Sequence, residues 1–420
     1  RYAEQRPRSA AQAAAAARVL PAGSTRSVLD FDPFPFRVAE ADGARLVDVD
    51  GHRYTDFLGD YTAGLLGHNP PQVAEAIRRA LDRGWSLGAV ADDEHRLAVL
   101  LCDRFPSVEQ IRFTNSGTEA NLMAISLARH HTGRDRVLVF DGAYHGGLLY
   151  FGAAATPIQA PYDYVRCRFN DIDSVRRALT HGSDVACALI EPMMGSGGCI
   201  PAEPDFLAEL RSLCSEHGVL LIFDEVMTSR MSTGGAQQRL GIVPDLTTLG
   251  KYLGGGMTFG AFGGPAAIMA AFDPARGGTL THGGTFNNNV MTMSAGAAAV
   301  EQLLDAGALE ALFERGERFR SRVDAALAPV GMSATGWGSL LTIQAARGTI
   351  RRPADVHGVD PRIGELLFHA MLERGMYLAR RGFIALSLAI SDRDIDRFLA
   401  VLEDSLDELT SGGVLVRSAS

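Results

Sequence analysis

Lys251 is the only lysine among the 40 lysine and arginine residues of this 420-residue chain. A single retained ammonium in a chain that otherwise uses guanidinium marks a position where arginine cannot substitute. Arginine stays charged and is a poor nucleophile, whereas a lysine amine loses its proton in a desolvated pocket and condenses with an aldehyde. Compositional drift with one survivor explains the count almost as well, so the neighbouring residues decide. Asp224 closes the apolar run V-L-L-I-F at 219–223, 27 residues before the lysine. A carboxylate held at a sheet rim keeps a pyridine-type nitrogen protonated, and only then is the ring an electron sink. An acidic residue at a strand end is more often a turn or cap residue; the pair says more than either member.

Three further segments bear on the lysine. Ser116, Gly117 and Thr118 precede the helix-period stretch Glu119 to His131, with Leu122, Ile125 and Ala128 on one face. A small-residue turn entering a helix offers free N–H groups and the positive end of the dipole to a phosphate, although an ordinary Ser/Thr N-cap is the commoner use. Tyr144 and His145, in D-G-A-Y-H-G-G, put an aromatic face in a glycine-rich loop, where it stacks on a planar ligand or covers a core edge. Gly254 to Gly256 permit close approach of a ligand or of another segment, and serve equally as a flexible turn between two strands. A P-loop is excluded: the glycine it needs falls on Asp245 and its Ser/Thr on Tyr252.

The elements that must position these residues alternate, from about Asp103 to Gly264, between short apolar runs and helix-period stretches, as in βαβ units around a mostly parallel sheet. Val137 to Phe140, Ala188 to Ile190 and Val219 to Phe223 read as buried strands. They end in Asp141 to His145, Glu191 to Pro192 and Asp224 to Glu225, so these polar segments converge on one crevice at the carboxyl edge. Alanine-rich Ala10 to Ala17 reads as a helix. A helical stretch runs from Ser294 through Leu327, followed by a strand at Gly336 to Gln344 and a closing helix from Ser391 to Glu408. Three units follow: 1–60, rich in turns and short strands such as Leu46 to Asp50, packing with the C-terminal part; a large domain at 61–295; and a small α+β domain at 296–420. A net charge of −9 gives no basic face for nucleic acid. Five cysteines with no C-x-x-C pair imply neither a disulfide framework nor a zinc ribbon, and no apolar run reaches membrane-span length. A cytoplasmic enzyme is expected.

Together the segments resemble the class III aminotransferases, fold-type I pyridoxal-phosphate enzymes, and among them the branch containing glutamate-1-semialdehyde aminomutase. The matching motifs are S-G-T-E-A at Ser116 to Ala120, Y-H-G at Tyr144 to Gly146, E-P at Glu191 and Pro192, F-D-E-V-M-T at Phe223 to Thr228, and P-D-L-T-T-L-G-K at Pro244 to Lys251; V-D-V-D-G at Val47 to Gly51 extends the likeness. The resemblance implies an α/β fold with a mostly parallel sheet and a smaller α+β domain, with pyridoxal 5'-phosphate as cofactor. It implies that Lys251 forms the internal aldimine and Asp224 pairs with the pyridine nitrogen. Ser116, Gly117 and Thr118 would cradle the phosphate, Tyr144, with His145 beside it, would stack on the ring, Val226 would pack on its other face, and Glu191 would order the site. Thr285, in G-G-T-F-N-N-N, matches a threonine that reaches the neighbouring subunit's phosphate, which implies a homodimer with shared sites.

The chemistry implied is ping-pong transfer of an amino group from a carboxylate-bearing amino acid, α or β, to an oxo acid, with the freed Lys251 amine moving the proton. Two departures bear on the aminomutase alternative. Its P-G-G-V-N-S-P-V-R segment reads P-A-G-S-T-R-S-V-L at Pro21 to Leu29, and its A-F-E-A text gives way to R-R-G-F-I-A at Arg380 to Ala385, with Ile384 where an acidic residue would fall. The G-S-T-R-S and M-T-S-R segments look like transaminases of β-amino acids. Arg26 is the first choice for a substrate carboxylate, since guanidinium offers a bidentate fork; Arg381 and Arg230 follow, and Tyr61 lines the pocket. A non-enzymatic cofactor-binding regulator would normally carry an added DNA-binding segment, and the sequence shows none.

Overall fold

A computed structural model describes residues 1–152, 158–181, 184–356 and 360–416. The runs V-L-V-F, A-C-A-L-I and L-L-I-F are buried on both faces, as strands covered by helices require. They belong to a seven-stranded sheet of β1 (Gln110–Thr114), β2 (Arg136–Phe140), β3 (Tyr164–Cys167), β4 (Val185–Ile190), β5 (Leu220–Asp224), β6 (Leu246–Gly250) and β7 (Gly260–Gly264). The spatial order is β1-β7-β6-β5-β4-β2-β3, and β7 alone runs antiparallel to its neighbours. The expected α/β fold with a mostly parallel sheet is the fold observed.

Strand β7 reads G-A-F-G-G because it is wedged between β1 and β6. A Cβ on Gly260 would lie 2.2 Å from the Ser116 carbonyl oxygen, and one on Gly263 2.6 Å from that of Gln110. The glycines at 254–256 serve the chain itself: a Cβ on Gly255, whose φ is 66°, would stand 2.6 Å from the Ala295 backbone. Sequence and structure part in two places. The helical stretch through Leu327 is two helices, Val290–Gln302 and Ala306–Leu327, because extended Asp305 caps the second by accepting from Ala308 N at 2.8 Å. Gly336 to Gln344 is no single strand; Ser333–Trp337 and Leu340–Gln344 form a hairpin that turns at Gly338, with a φ of 55°. The last helix, Asp392–Ser411, starts on a capping box made by Ser391 and Asp394.

Near the N-terminus, Val38–Asp42, Arg45–Asp48 and Arg53–Asp56 form antiparallel neighbours, and the last pairs in parallel with Met376–Tyr377. Segments from both ends of the chain thus share one sheet. An apolar core carries residues from both sides of position 295, among them Leu101, Leu253, Phe319 and Phe398.

Candidate active site

Strand β5 delivers Asp224 to its carboxyl end, and the folded chain holds that side chain with three donors. His145 Nδ1 and Asn121 Nδ2 lie 2.8 and 2.9 Å from Oδ2, while Val226 N donates to Oδ1 at 3.0 Å. The site is dry at this end: Asp224 is 4 % exposed and Asn121 and His145 are 1 % exposed. Among the described residues His145 Nε2 has no partner, and the imidazole meets Asp224 through Nδ1.

Lys251 follows directly on β6 and adopts a φ of 57°, a left-handed conformation that costs energy for a side chain and is characteristic of functional positions. Although the residue is only partly buried, burial is the largest influence on its amine and pushes it down to about 8. Asp224 and Glu191 oppose that shift and the Arg381 guanidinium adds to it. Glu191, at the end of β4, is pushed up to about 7 by burial and accepts from the Tyr144 and Gly195 backbone N–H groups, each at 3.0 Å. It anchors the loop that carries Tyr144.

The turn after β1 starts the helix Gly117–Thr132. Ser116 Oγ accepts from Glu119 N at 3.2 Å, so the serine is an N-cap, and the first amides of the helix remain available to an anion. Val226 lies against this turn: a Cβ on Gly117 would come 2.8 Å from its Cγ2, and one on Gly250 3.1 Å from its Cγ1. The loop with Tyr144 sits as close, since a Cβ on Gly146 would be 2.1 Å from Thr118 Oγ1. Anion-binding amides, a fixed carboxylate, a valine face, an exposed tyrosine and a deprotonatable amine are the donor set that pyridoxal phosphate needs, and the residues present fit it.

The three substrate candidates come together. The Arg26 and Arg381 guanidinium carbons lie 5.7 and 5.4 Å from the centre of the Tyr61 ring, which stacks on Phe383 with 5.8 Å between centroids. Tyr61 is fixed by its hydroxyl, which donates to Val28 O at 2.8 Å, and by a turn in which Asp60, Tyr61 and Thr62 all have positive φ (44°, 51° and 80°). Arg26 pairs with Asp60 at 2.5 Å, whereas Arg381 donates to the neutral Ser196 hydroxyl at 3.1 Å. Both arginines act electrostatically on Tyr144.

Two candidates stand apart. Thr285 is exposed in a turn whose Asn287 accepts from Asn115 Nδ2 at 2.9 Å, next to Ser116 in sequence. Arg230 is 1 % exposed, donates to the Leu386 carbonyl and leaves Nε and Nη1 without partners, so it is an interior side chain with no surface to offer a substrate. Ile384 is also interior: it pairs with Leu341 across the small sheet and enters the apolar core, so an isoleucine there says nothing about which reaction the pocket favours. Sequence reasoning missed Asn121, Asp60 and Ser196. For Asn121 a signal existed, a polar residue among Ala120, Ala124, Ile125 and Ala128 on the buried face of its helix.

An amine made nucleophilic by burial, beside a fixed carboxylate at the carboxyl edge of a mostly parallel sheet, is the equipment of a pyridoxal-phosphate-dependent enzyme of fold type I. The profile of the aminotransferase class-III family matches residues 29–406, and the chain belongs to that family. It is 49 % identical over 405 residues to a β-phenylalanine transaminase of Variovorax paradoxus, covering 96 % of this chain and 93 % of the relative. The crystal structure of a β-phenylalanine aminotransferase from the same organism superposes with a TM-score of 0.97 at 48 % identity, covering 100 % of this chain and 97 % of the other. A transaminase with PLP bound follows at a TM-score of 0.89 and 32 % identity, covering 97 % and 99 %. A glutamate-1-semialdehyde aminomutase from Pseudomonas aeruginosa matches at a TM-score of 0.89 and 28 % identity, covering 97 % and 96 %. The chain is a pyridoxal-phosphate-dependent aminotransferase. Among the described residues no helix is long and apolar enough to cross a membrane.

Proposed function

We propose that this aminotransferase takes the amino group from a β-amino acid with an aromatic substituent and passes it to an oxo acid. The convergence of Arg26 and Arg381 on the Tyr61 ring carries this reading, because each half of the transfer brings a carboxylate and the ring offers an apolar wall beside it. The likeness to the β-phenylalanine transaminase supports the choice of donor. Bound pyridoxal phosphate supplies an aldehyde that captures the amine and a ring that stores the electron pair left when the proton departs.

The protein does the rest. Lys251 Nζ would hold the cofactor and, once released, would take the proton from the substrate carbon bearing the amino group and deliver it to the cofactor's former aldehyde carbon on the other side of that nitrogen. Asp224 Oδ1, with one backbone donor, keeps an acceptor position for the ring nitrogen, and the first amides of the helix Gly117–Thr132 take the phosphate. Val226 and Tyr144 cover the ring. Glu191 fixes the loop of Tyr144, and His145 holds Asp224. Arg381, whose hydrogen-bond partner among the described residues is the Ser196 hydroxyl, takes the first substrate carboxylate, and Arg26 a second once it leaves Asp60.

Thr285 and the exposed Phe286 beside it support a homodimer in which this turn reaches the partner's phosphate. Five free cysteines fit a cytoplasmic enzyme. The test is a panel of α- and β-amino acids with several oxo acids, following conversion of the bound cofactor to its amine form by absorbance. Conversion by aromatic β-amino acids ahead of α-amino acids is expected; no conversion by any amine donor defeats the reading. Isomerisation of a single substrate without an acceptor would favour the aminomutase, whose structural likeness is also high.

A further inference from the structure

Asn121 is buried at the centre of the site, and its amide touches three elements at once. Nδ2 donates to Asp224 Oδ2 at 2.9 Å and to the His145 carbonyl at 3.1 Å, while Oδ1 accepts from Thr248 Oγ1 at 2.7 Å. Asp224 ends β5, His145 lies in the loop with Tyr144, and Thr248 sits in β6 three residues before Lys251. Only one orientation of the amide works: turned over, Oδ1 would face two acceptors, the carboxylate and the carbonyl. That orientation in turn obliges the Thr248 hydroxyl to donate. Thr248 is 0 % exposed, so no water replaces a lost partner cheaply.

We propose that Asn121, oriented by Thr248, is the positioning residue that fixes the Asp224 carboxylate relative to the Lys251 strand and the Tyr144 loop. This inference rests on the assignment of Lys251 and Asp224 to the cofactor. The hydroxyl of Thr248 orders the amide, the amide orders Oδ2 of Asp224, and Oδ1, which accepts from Val226 N, would serve the cofactor's ring nitrogen. Misorientation of a fixed group by a fraction of an ångström weakens what it does in the transition state more than it weakens binding of substrate.

The test compares wild type with Thr248→Val, Asn121→Asp and Asn121→Ala, as holoenzymes and after cofactor removal. Three quantities are read: melting of the apoprotein, the dissociation constant for pyridoxal phosphate, and kcat and KM across pH. Thr248→Val removes one hydroxyl and keeps the shape; it lowers kcat roughly tenfold with little change in KM, and it weakens cofactor binding. Asn121→Asp sets a second carboxylate against Asp224, and the two compete for one proton. At low pH the new carboxyl keeps a proton to donate to Asp224 in the amide's place, so the loss of kcat is least there and grows as pH rises and both carboxyls ionise. Adding Thr248→Val to Asn121→Ala brings no further loss, since the hydroxyl then has nothing to orient. The proposal is overturned if Thr248→Val and Asn121→Asp match wild type in cofactor affinity and kcat at every pH, or if they change apoprotein melting alone. Should the Asn121 variants fail to fold, Thr248→Val decides by the same readouts. A wild type that binds no pyridoxal phosphate, or a Lys251→Ala variant with full turnover, overturns the site assignment itself and this inference with it.

Discussion

Lys251 combines two costs, a left-handed backbone and an amine withdrawn from water, and both are repaid only by chemistry. With its amine pushed down to about 8, roughly a tenth of the molecules carry neutral Nζ at pH 7, against about three in ten thousand at the ordinary lysine value. Neutral amine is the form that attacks an aldehyde. The rate at which apoprotein takes up pyridoxal phosphate therefore climbs about tenfold per pH unit below 8 and levels off above it, as stopped-flow absorbance will show; a climb that continues to pH 10 contradicts the burial argument. Lys251→Arg abolishes turnover while circular dichroism and melting stay close to wild type, because guanidinium fills the space but cannot condense. Arg381 donates to a hydroxyl where Arg26 faces the Asp60 carboxylate, so Arg381→Ala raises KM for carboxylate-bearing donors by ~10- to 100-fold and affects a simple arylalkylamine far less, a contrast measured by steady-state kinetics.

Among the elements, β7 decides how the turn at Ser116, the proposed phosphate cradle, sits, for Gly260 leaves no room between itself and the Ser116 carbonyl. Gly260→Ala displaces that turn, costs about 1–3 kcal/mol in denaturant unfolding, and weakens cofactor affinity as well. How far the elements were legible depends on what each strand had to do. Residues 137–140, β4 and residues 220–223 are apolar throughout because helices cover both faces, and the polar segments that follow them pointed the sequence reading to a crevice at this edge. Strand β7 was not legible as a strand: G-A-F-G-G has no alternation, since close backbone approach, not side-chain packing, selects its residues. The break at Asp305 and the turn at Gly338 were passed over because one capping residue or one glycine outweighs the propensity of the run around it. Asn121 was hidden for a related reason. A single buried amide leaves no motif, and its meaning lies in three partners that are 24, 103 and 127 residues away.

At the level of the whole molecule, the chain exposes large apolar side chains that the proposed homodimer would cover, with Phe286 at 64 %, Trp85 at 51 % and Val90 at 82 % exposure. Phe286→Asp is expected to shift the protein from dimer to monomer in light scattering and to weaken cofactor binding, because it sits beside Thr285; a variant that stays dimeric and fully loaded contradicts the shared-site assembly. The pairing of Arg53–Asp56 with Met376–Tyr377 joins an early and a late segment of the chain just before the turn that carries Tyr61, so that turn is held by a long-range closure of the fold. The lone lysine also has a practical consequence. Among these 420 residues Lys251 is the one side-chain amine an acylating reagent can meet. Protection of that lysine against acylation therefore reads occupancy of the proposed cofactor site directly, without a substrate.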